Sequence, residues 1–113
     1  MKKQASAALP SLLVAPLHTL GGNLRAARQA RGWTIAEAAA RSLVSPATYK
    51  RLEAGEPSVA LGTWITVLHQ LQLLDAVLAA TAPQADALGE ALRARKAPRR
   101  VRKSADEDAR YDF

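Results

Sequence analysis

The hydrophobic positions from Leu20 onward recur every three or four residues, which is the spacing of one helical face. Leu24, Ala27 and Arg31 follow this spacing, and Gly32 closes the segment as the residue that commonly follows a helix C-terminus. The pattern predicts a first helix from Leu20 to about Arg31. Residues 1–17 mix small, apolar and proline residues without helical period, which predicts an irregular N-terminal arm.

The next two helices are predicted from their capping residues. Thr34 with Glu37 three residues later forms a capping-box pattern, which opens a short alanine-rich helix over residues 35–41. After a short link, Ser45 is a second N-cap, and Pro46 falls at the first helical position, where its missing N–H costs nothing. This third helix runs to about Ala54, and the Gly55 to Pro57 segment ends it.

Three further helices are predicted towards the C-terminus. The apolar positions that share one face of the fourth helix are Leu61, Ile65, Leu68 and Leu71. An apolar run from Leu73 to Ala80 predicts a fifth helix, Pro83 breaks the chain, and Asp86 opens a sixth that extends to about Lys96. No segment alternates as a strand does, so the predicted fold class is all-α with five to six helices.

The positive charge is concentrated near the C-terminus. The chain has 113 residues and a net charge of +6, and residues 93–103 carry seven basic residues and no acidic one. We expect the chain beyond Pro98 to be disordered. The basic segment is typical either of a nucleic-acid-binding arm or of a solubilising tail, and composition does not separate the two. The residues that would contact nucleic acid are Arg99, Arg100, Arg102 and Lys103.

The residue types argue against an enzyme. The chain has no cysteine, and His18 and His69 are isolated from other potential ligands or bases. There is no glycine-rich phosphate loop, and paired carboxylates occur only within residues 106–108 of the expected tail. We therefore predict no catalytic site, no metal, no cofactor and no small-molecule substrate. No apolar run approaches the roughly 20 residues that cross a bilayer, so we expect no membrane association and a cytoplasmic location.

Two short helices joined by a tight turn are typical of a helix-turn-helix, whose second helix enters the major groove of DNA. In the predicted third helix, Tyr49 and Leu52 would face inward. The outward residues, predicted to contact bases, are Ser45, Pro46, Ala47, Thr48, Lys50 and Arg51. The plain alternative is a solvated helix face that happens to carry Lys and Arg.

The segments "LRAARQARGWTIAEAAARS" and "VSPATYKRLEAGEPSVALGTWITVLHQL" give this interpretation a family context. Over residues 20–74 the chain resembles the XRE family of phage-repressor-like helix-turn-helix proteins. The resemblance implies a lambda-repressor-like domain and an ion pair between Arg28 and Glu53. The predicted domains are the arm at 1–17, the helix-turn-helix DNA-binding domain at 18–82, a C-terminal helix at 83–97 and the tail at 98–113.

Phosphate contacts are harder to assign, because the chain departs from the family pattern. Ile35 replaces a glutamine that usually binds phosphate, Leu43 stands in a turn that usually has glycine, and Glu56 replaces a common lysine. Leu43 is therefore either strained, or the turn is built differently. The candidates for phosphate contacts are Arg25, Arg31, Thr34 and Arg41, and each of these arginines could equally be a solvated charge.

The arm, the "LLDAVLAATAPQADALGEAL" extension and the charged end are similar to those of HipB-like antitoxins. The resemblance implies a homodimer that binds a palindromic operator in double-stranded DNA, represses its own operon and neutralises a HipA-like kinase toxin. Two alternatives remain, a stand-alone regulator and a general nucleic-acid binder that works through the basic tail. Apolar residues for a dimer contact are Leu73, Leu74, Val77 and Leu78, with Leu12, Leu13 and Val14 as additions. Helix five could instead complete the core of its own subunit.

Overall fold

The computed structural model describes residues 9–96, and within that range the chain is all-helical, with no strand. The predicted fold class is confirmed. The helices are α1 (Val14–Ala30), α2 (Ile35–Arg41), α3 (Pro46–Glu53), α4 (Leu61–Gln70), α5 (Leu74–Ala80) and α6 (Ala87–Lys96), with 3-10 turns at Ser11–Leu13 and Pro83–Ala85. The predicted tail beyond Pro98, and with it Arg99, Arg100, Arg102 and Lys103, lies outside the described residues.

The start of α1 corrects the extent predicted for the N-terminal arm. The helix begins at Val14, six residues before Leu20, and the 3-10 turn precedes it directly. Pro16 is the third residue of α1, within the first turn, where the backbone N–H groups have no helical partner. A proline there costs the helix no hydrogen bond, so its presence did not mark irregular chain.

The N-termini of α2 and α3 are closed by the side chains that the sequence predicts. The Thr34 hydroxyl accepts a hydrogen bond from the Glu37 backbone N–H at 3.0 Å, and the Glu37 carboxylate accepts one from the Thr34 N–H at 2.8 Å. The Ser45 hydroxyl accepts from the Thr48 N–H at 3.1 Å, with Pro46 at the first helical position. These caps define where α3 begins.

The C-termini of α1 to α4 share one hydrogen-bonding pattern, the Schellman motif. In each, two N–H groups after the helix bond back to carbonyls of the last turn, as Val44 N–H does to Ala39 C=O at 3.0 Å. The motif needs a left-handed residue, and the four that supply it are Gly32 (φ +71°), Leu43 (φ +58°), Gly55 (φ +73°) and Gln72 (φ +62°). Two of the four ends therefore use a residue that adopts this backbone only at a cost.

The described chain divides into two compact units after Asp75, within α5. The first unit contains the hydrophobic core, whose buried residues are Leu24, Ala38, Ala39, Tyr49, Leu52, Val59, Val67 and Leu71. The second unit has no buried side chain among its described residues. In that unit the Asp86 carboxylate accepts a hydrogen bond from Gly89 N–H at 2.9 Å, which opens α6 as predicted.

Candidate nucleic-acid interface

Helix α3 is anchored to the core by its inner face. Tyr49 is 1% exposed and Leu52 is fully buried, and α3 packs against both α1 and α2. Burying a side chain of this size contributes about 1.5–3 kcal/mol. Desolvation raises the pKa of Tyr49 above its usual value, with the Glu53 carboxylate as a smaller cause in the same direction. The inner face of α3 is therefore part of the hydrophobic core.

The crossing of α1 and α3 is close enough to require a glycine. A Cβ atom added to Gly21 would lie 2.5 Å from the Glu53 carbonyl oxygen and 2.8 Å from that of Leu52. Gly22, one position along α1, has open space around it. Sequence reasoning missed Gly21, although a glycine inside a helix costs stability and can mark a close approach of two backbones.

Arg28 and Glu53 form a buried bidentate ion pair between α1 and α3, at the positions that the resemblance implies. Arg28 Nε lies 2.7 Å from Glu53 Oε2, and Nη2 lies 3.1 Å from Oε1. The remaining Arg28 nitrogen, Nη1, donates to the Trp33 carbonyl oxygen at 2.9 Å. The hydrogen bonds that Arg28 donates to Glu53 raise the pKa of Arg28, against the desolvation that lowers it. The pair fixes the C-terminal end of α3 to the scaffold.

The outer face of α3 carries the predicted base contacts, and it faces solvent. Ser45, Pro46, Ala47, Lys50 and Arg51 are exposed, and Thr48 is half-buried. Arg51 Nη2 lies 3.4 Å from the Thr48 hydroxyl, and Arg51 Nε lies 4.0 Å from a Glu56 carboxylate oxygen. Both members of this second pair are about half exposed, so the contact is weak and leaves the guanidinium accessible.

The four candidates for phosphate contacts fall into different environments. Arg25 and Thr34 are exposed, and Thr34 also caps α2. The Arg41 guanidinium lies 4.3 Å from the centre of the Trp33 ring, which is a cation–π contact. Arg31 donates to the carbonyl oxygens of Ala27 and Leu71, each at 2.7 Å. These bonds join the C-terminal ends of α1 and α4, so the guanidinium of Arg31, an exposed residue, contributes to the fold.

The departures from the family pattern have structural explanations. Ile35 packs against the hydrophobic core, so this position cannot present a polar group to a phosphate. Leu43 adopts the left-handed backbone that a glycine would adopt easily at this position. Of the two alternatives for this turn, the structure therefore favours a strained leucine over a turn that is built differently. The Leu43 side chain is 90% exposed. Glu56 approaches Arg51.

The residues predicted for a dimer contact are not equivalent. Leu73 packs against the core of its own unit, which favours the intramolecular alternative for that residue. Leu74 is half-buried beside a shallow groove lined by His69, Gln72 and Asp75. Val77 is 38% exposed and Leu78 is 56% exposed. Leu12, Leu13 and Val14 are also exposed. Apolar surface for association is present on α5 and at the start of α1.

Residues 9–96 contain neither a cluster of metal ligands nor a membrane-spanning helix. No set of three or more His, Cys, Asp or Glu side chains there is grouped to hold a metal ion. No helix in the same range is long and apolar enough to cross a membrane. His18 is exposed and lies next to Gly55, at the contact of α1 with the end of α3.

The comparison with known families agrees with this geometry. The family model described as a helix-turn-helix domain matches residues 19–88, which include all of α2, α3 and the turn between them. No curated protein and no solved structure gives a significant match. With an anchored α3, a four-residue turn after α2 and a family match over more than half of its length, the chain belongs to the helix-turn-helix domain family of DNA-binding proteins.

Proposed function

We propose that the protein is a sequence-specific transcriptional repressor that reads double-stranded DNA with α3. The single observation that carries this is the contrast between the two sides of α3: the inner side is buried and clamped, and the outer side presents Lys50 and Arg51 to solvent. Arg and Lys donate to guanine O6 and N7 in the major groove, and a helix held rigidly from behind can place them there.

The other outward residues complete a surface of suitable chemistry. Ser45 and Thr48 offer hydroxyls, and Ala47 and Pro46 offer small apolar groups that fit beside a thymine methyl. Arg25 and Arg41, both exposed, supply phosphate contacts that position the helix without reading sequence. Arg31 is left out of this set, because its guanidinium is engaged by two carbonyl groups.

The finer part of the proposal is that two copies bind a palindromic operator upstream of their own gene, and that the protein is the antitoxin of a HipA-like kinase toxin. Dimer formation is supported by the exposed apolar residues Val77 and Leu78 and by the few base pairs that one short helix can read. The antitoxin role rests on the resemblance to HipB-like antitoxins. A neighbouring gene for a kinase-like protein would favour it, and the absence of such a gene would favour a stand-alone regulator.

The test is selection of duplexes from a random DNA library by the full chain, followed by binding titrations on the selected site. Arg51→Ala is expected to weaken binding by about 1–3 kcal/mol and to relax preference at one base pair. Arg25→Ala is the matched control, since it removes the same charge from α1. It should weaken binding to all sequences alike and reduce the salt dependence of the affinity.

Three outcomes would contradict the proposal. The first is failure of the full chain to select any sequence from the library. The second is an Arg51→Ala variant that keeps both affinity and preference. The third is a protein lacking residues 97–113 that no longer binds at all, since this would assign binding to the basic tail instead of α3. If binding is retained, titrations on a full palindrome and on a single half-site then report whether two copies bind together.

A further inference from the structure

The turn between α2 and α3 contains a residue that is unfavourable in two respects. Leu43 adopts a left-handed backbone at φ +58°, which L-residues other than Asn and Asp rarely do. Its side chain is also 90% exposed, the largest exposed fraction among the large hydrophobic residues of the described chain. The protein alone therefore has both a strained backbone at residue 43 and an apolar side chain exposed to water, and each of these is unfavourable.

The hydrogen bonds of the turn explain why the backbone at position 43 is left-handed, but they do not explain why the residue there is a leucine. The Leu43 N–H donates to Ala40 C=O at 3.2 Å and the Val44 N–H to Ala39 C=O at 3.0 Å, so α2 ends in a Schellman motif that requires a left-handed residue. The motif turns Val44 inward against the core. Glycine would make the same turn without strain, as Gly32 and Gly55 do after α1 and α3.

Gln72 provides an internal comparison. It occupies the same place in the motif that ends α4, at φ +62°, and its side chain is also exposed. An exposed amide is polar and compatible with water, so only the backbone of Gln72 is unfavourable. Leu43, in contrast, also exposes an apolar side chain to water. It stands two residues before Ser45, the N-cap of α3, the helix proposed to read DNA.

We propose that Leu43 makes an apolar contact with DNA at the edge of the half-site, against either a thymine methyl group or a deoxyribose. The inference rests on the proposed function of α3. Two residues of chain span at most about 7 Å, so Leu43 is held close to Ser45 at the N-terminal end of α3. In a helix-turn-helix this end of the second helix approaches the base edges. The rigid turn presents the side chain at little further cost in entropy, which favours binding.

The experiment measures thermal unfolding and DNA affinity for wild type, Leu43→Gly, Leu43→Met and Gln72→Gly, using a duplex that the full chain has selected from a random library. Leu43→Gly and Gln72→Gly relieve the same backbone strain, so each should raise Tm by about 4 °C. Leu43→Gly should bind DNA about tenfold more weakly, because it lacks the leucine side chain that DNA would bury in the complex. Leu43→Met, which keeps an apolar side chain, and Gln72→Gly should bind as wild type.

Replacing thymine by uracil in the duplex distinguishes the two DNA groups. If Leu43 contacts a thymine methyl, one such replacement should lower wild-type affinity and leave Leu43→Gly unaffected. If it contacts a deoxyribose, the loss in Leu43→Gly stays about tenfold on both duplexes.

A Leu43→Gly variant that binds DNA within about twofold of wild type would overturn the inference. Equal weakening by Gln72→Gly would also overturn it, since the effect would then come from strain alone. Failure of the wild-type chain to select any duplex is a different result, which rejects the proposed function itself.

Discussion

The two faces of α3 differ in how their side chains are buried and paired, although both belong to one helix of eight residues. On the inner face, Tyr49 and Leu52 are buried, and Glu53 forms a bidentate pair with Arg28. On the outer face, Lys50 and Arg51 are exposed, and the one ion pair, Arg51 with Glu56, is half solvated. The comparison teaches that a charge on this helix stabilises the fold only where it is buried and paired. Substitutions can test this on each face separately.

The largest expected effect comes from removing the acid of the inner face. Glu53→Ala leaves the Arg28 guanidinium buried without its partner, and we expect a loss of about 3–5 kcal/mol in the free energy of unfolding. Urea unfolding followed by the fluorescence of Trp33 and Trp64 measures it. Glu56→Ala is the matched control, because it removes a carboxylate from the exposed pair and should change stability by less than about 1 kcal/mol. Equal losses from the two variants would refute the distinction between the faces.

The next effect concerns the contact that keeps α3 against α1. Gly21→Ala forces a methyl group onto the backbone of residues 52 and 53, and we expect a loss of about 1–3 kcal/mol. Gly22→Ala places the same group in open space within the same helix, and it should stabilise by about 0.5–1 kcal/mol. Thermal unfolding of both proteins checks the prediction, which fails if the two substitutions shift Tm in the same direction.

The smallest effect is a pH dependence that arises from the inner face alone. Burial raises the pKa of Tyr49 above its unfolded value of 10.0, so the folded state holds this proton more tightly than the unfolded state does. The stability linked to Tyr49 is complete below pH 10 and is lost as pH rises above it, by at most about 1.4 kcal/mol per pH unit. Denaturant titrations between pH 9 and 11 should show a shallower decline for Tyr49→Phe. Identical declines would contradict the assignment.

Local signals allowed much of the fold to be predicted from the sequence. The α2 and α3 helices begin where Thr34 and Ser45 cap them, because a side-chain cap acts over three residues and is visible in sequence. The start of α1 was misplaced, because a proline in a first turn and a proline in an irregular arm have the same local context. Only the continuation of the helix through Pro16 distinguishes them.

Contacts between residues far apart in the sequence are harder to predict than helix caps. The pairing of Arg28 with Glu53 was implied by family resemblance, and no local pattern would have indicated it across 25 positions. The bond from Arg31 to the Leu71 carbonyl, 40 positions away, has no local signal in the sequence, where Arg31 is a candidate for a phosphate contact. Sequence identifies a basic residue, but the acceptor that it meets depends on how α1 and α4 come together.

The capping of α3 limits which residues of its outer face can be exchanged without disturbing the helix. Ser45 closes the helix with its hydroxyl, Pro46 sets the first turn, and Thr48 bonds back to Ser45, so these three residues are constrained by the helix itself. Ala47, Lys50 and Arg51 have no part in the core or the N-cap. If α3 reads DNA as proposed, exchange of these three residues would therefore give proteins that share one scaffold and differ in the DNA sequence they prefer.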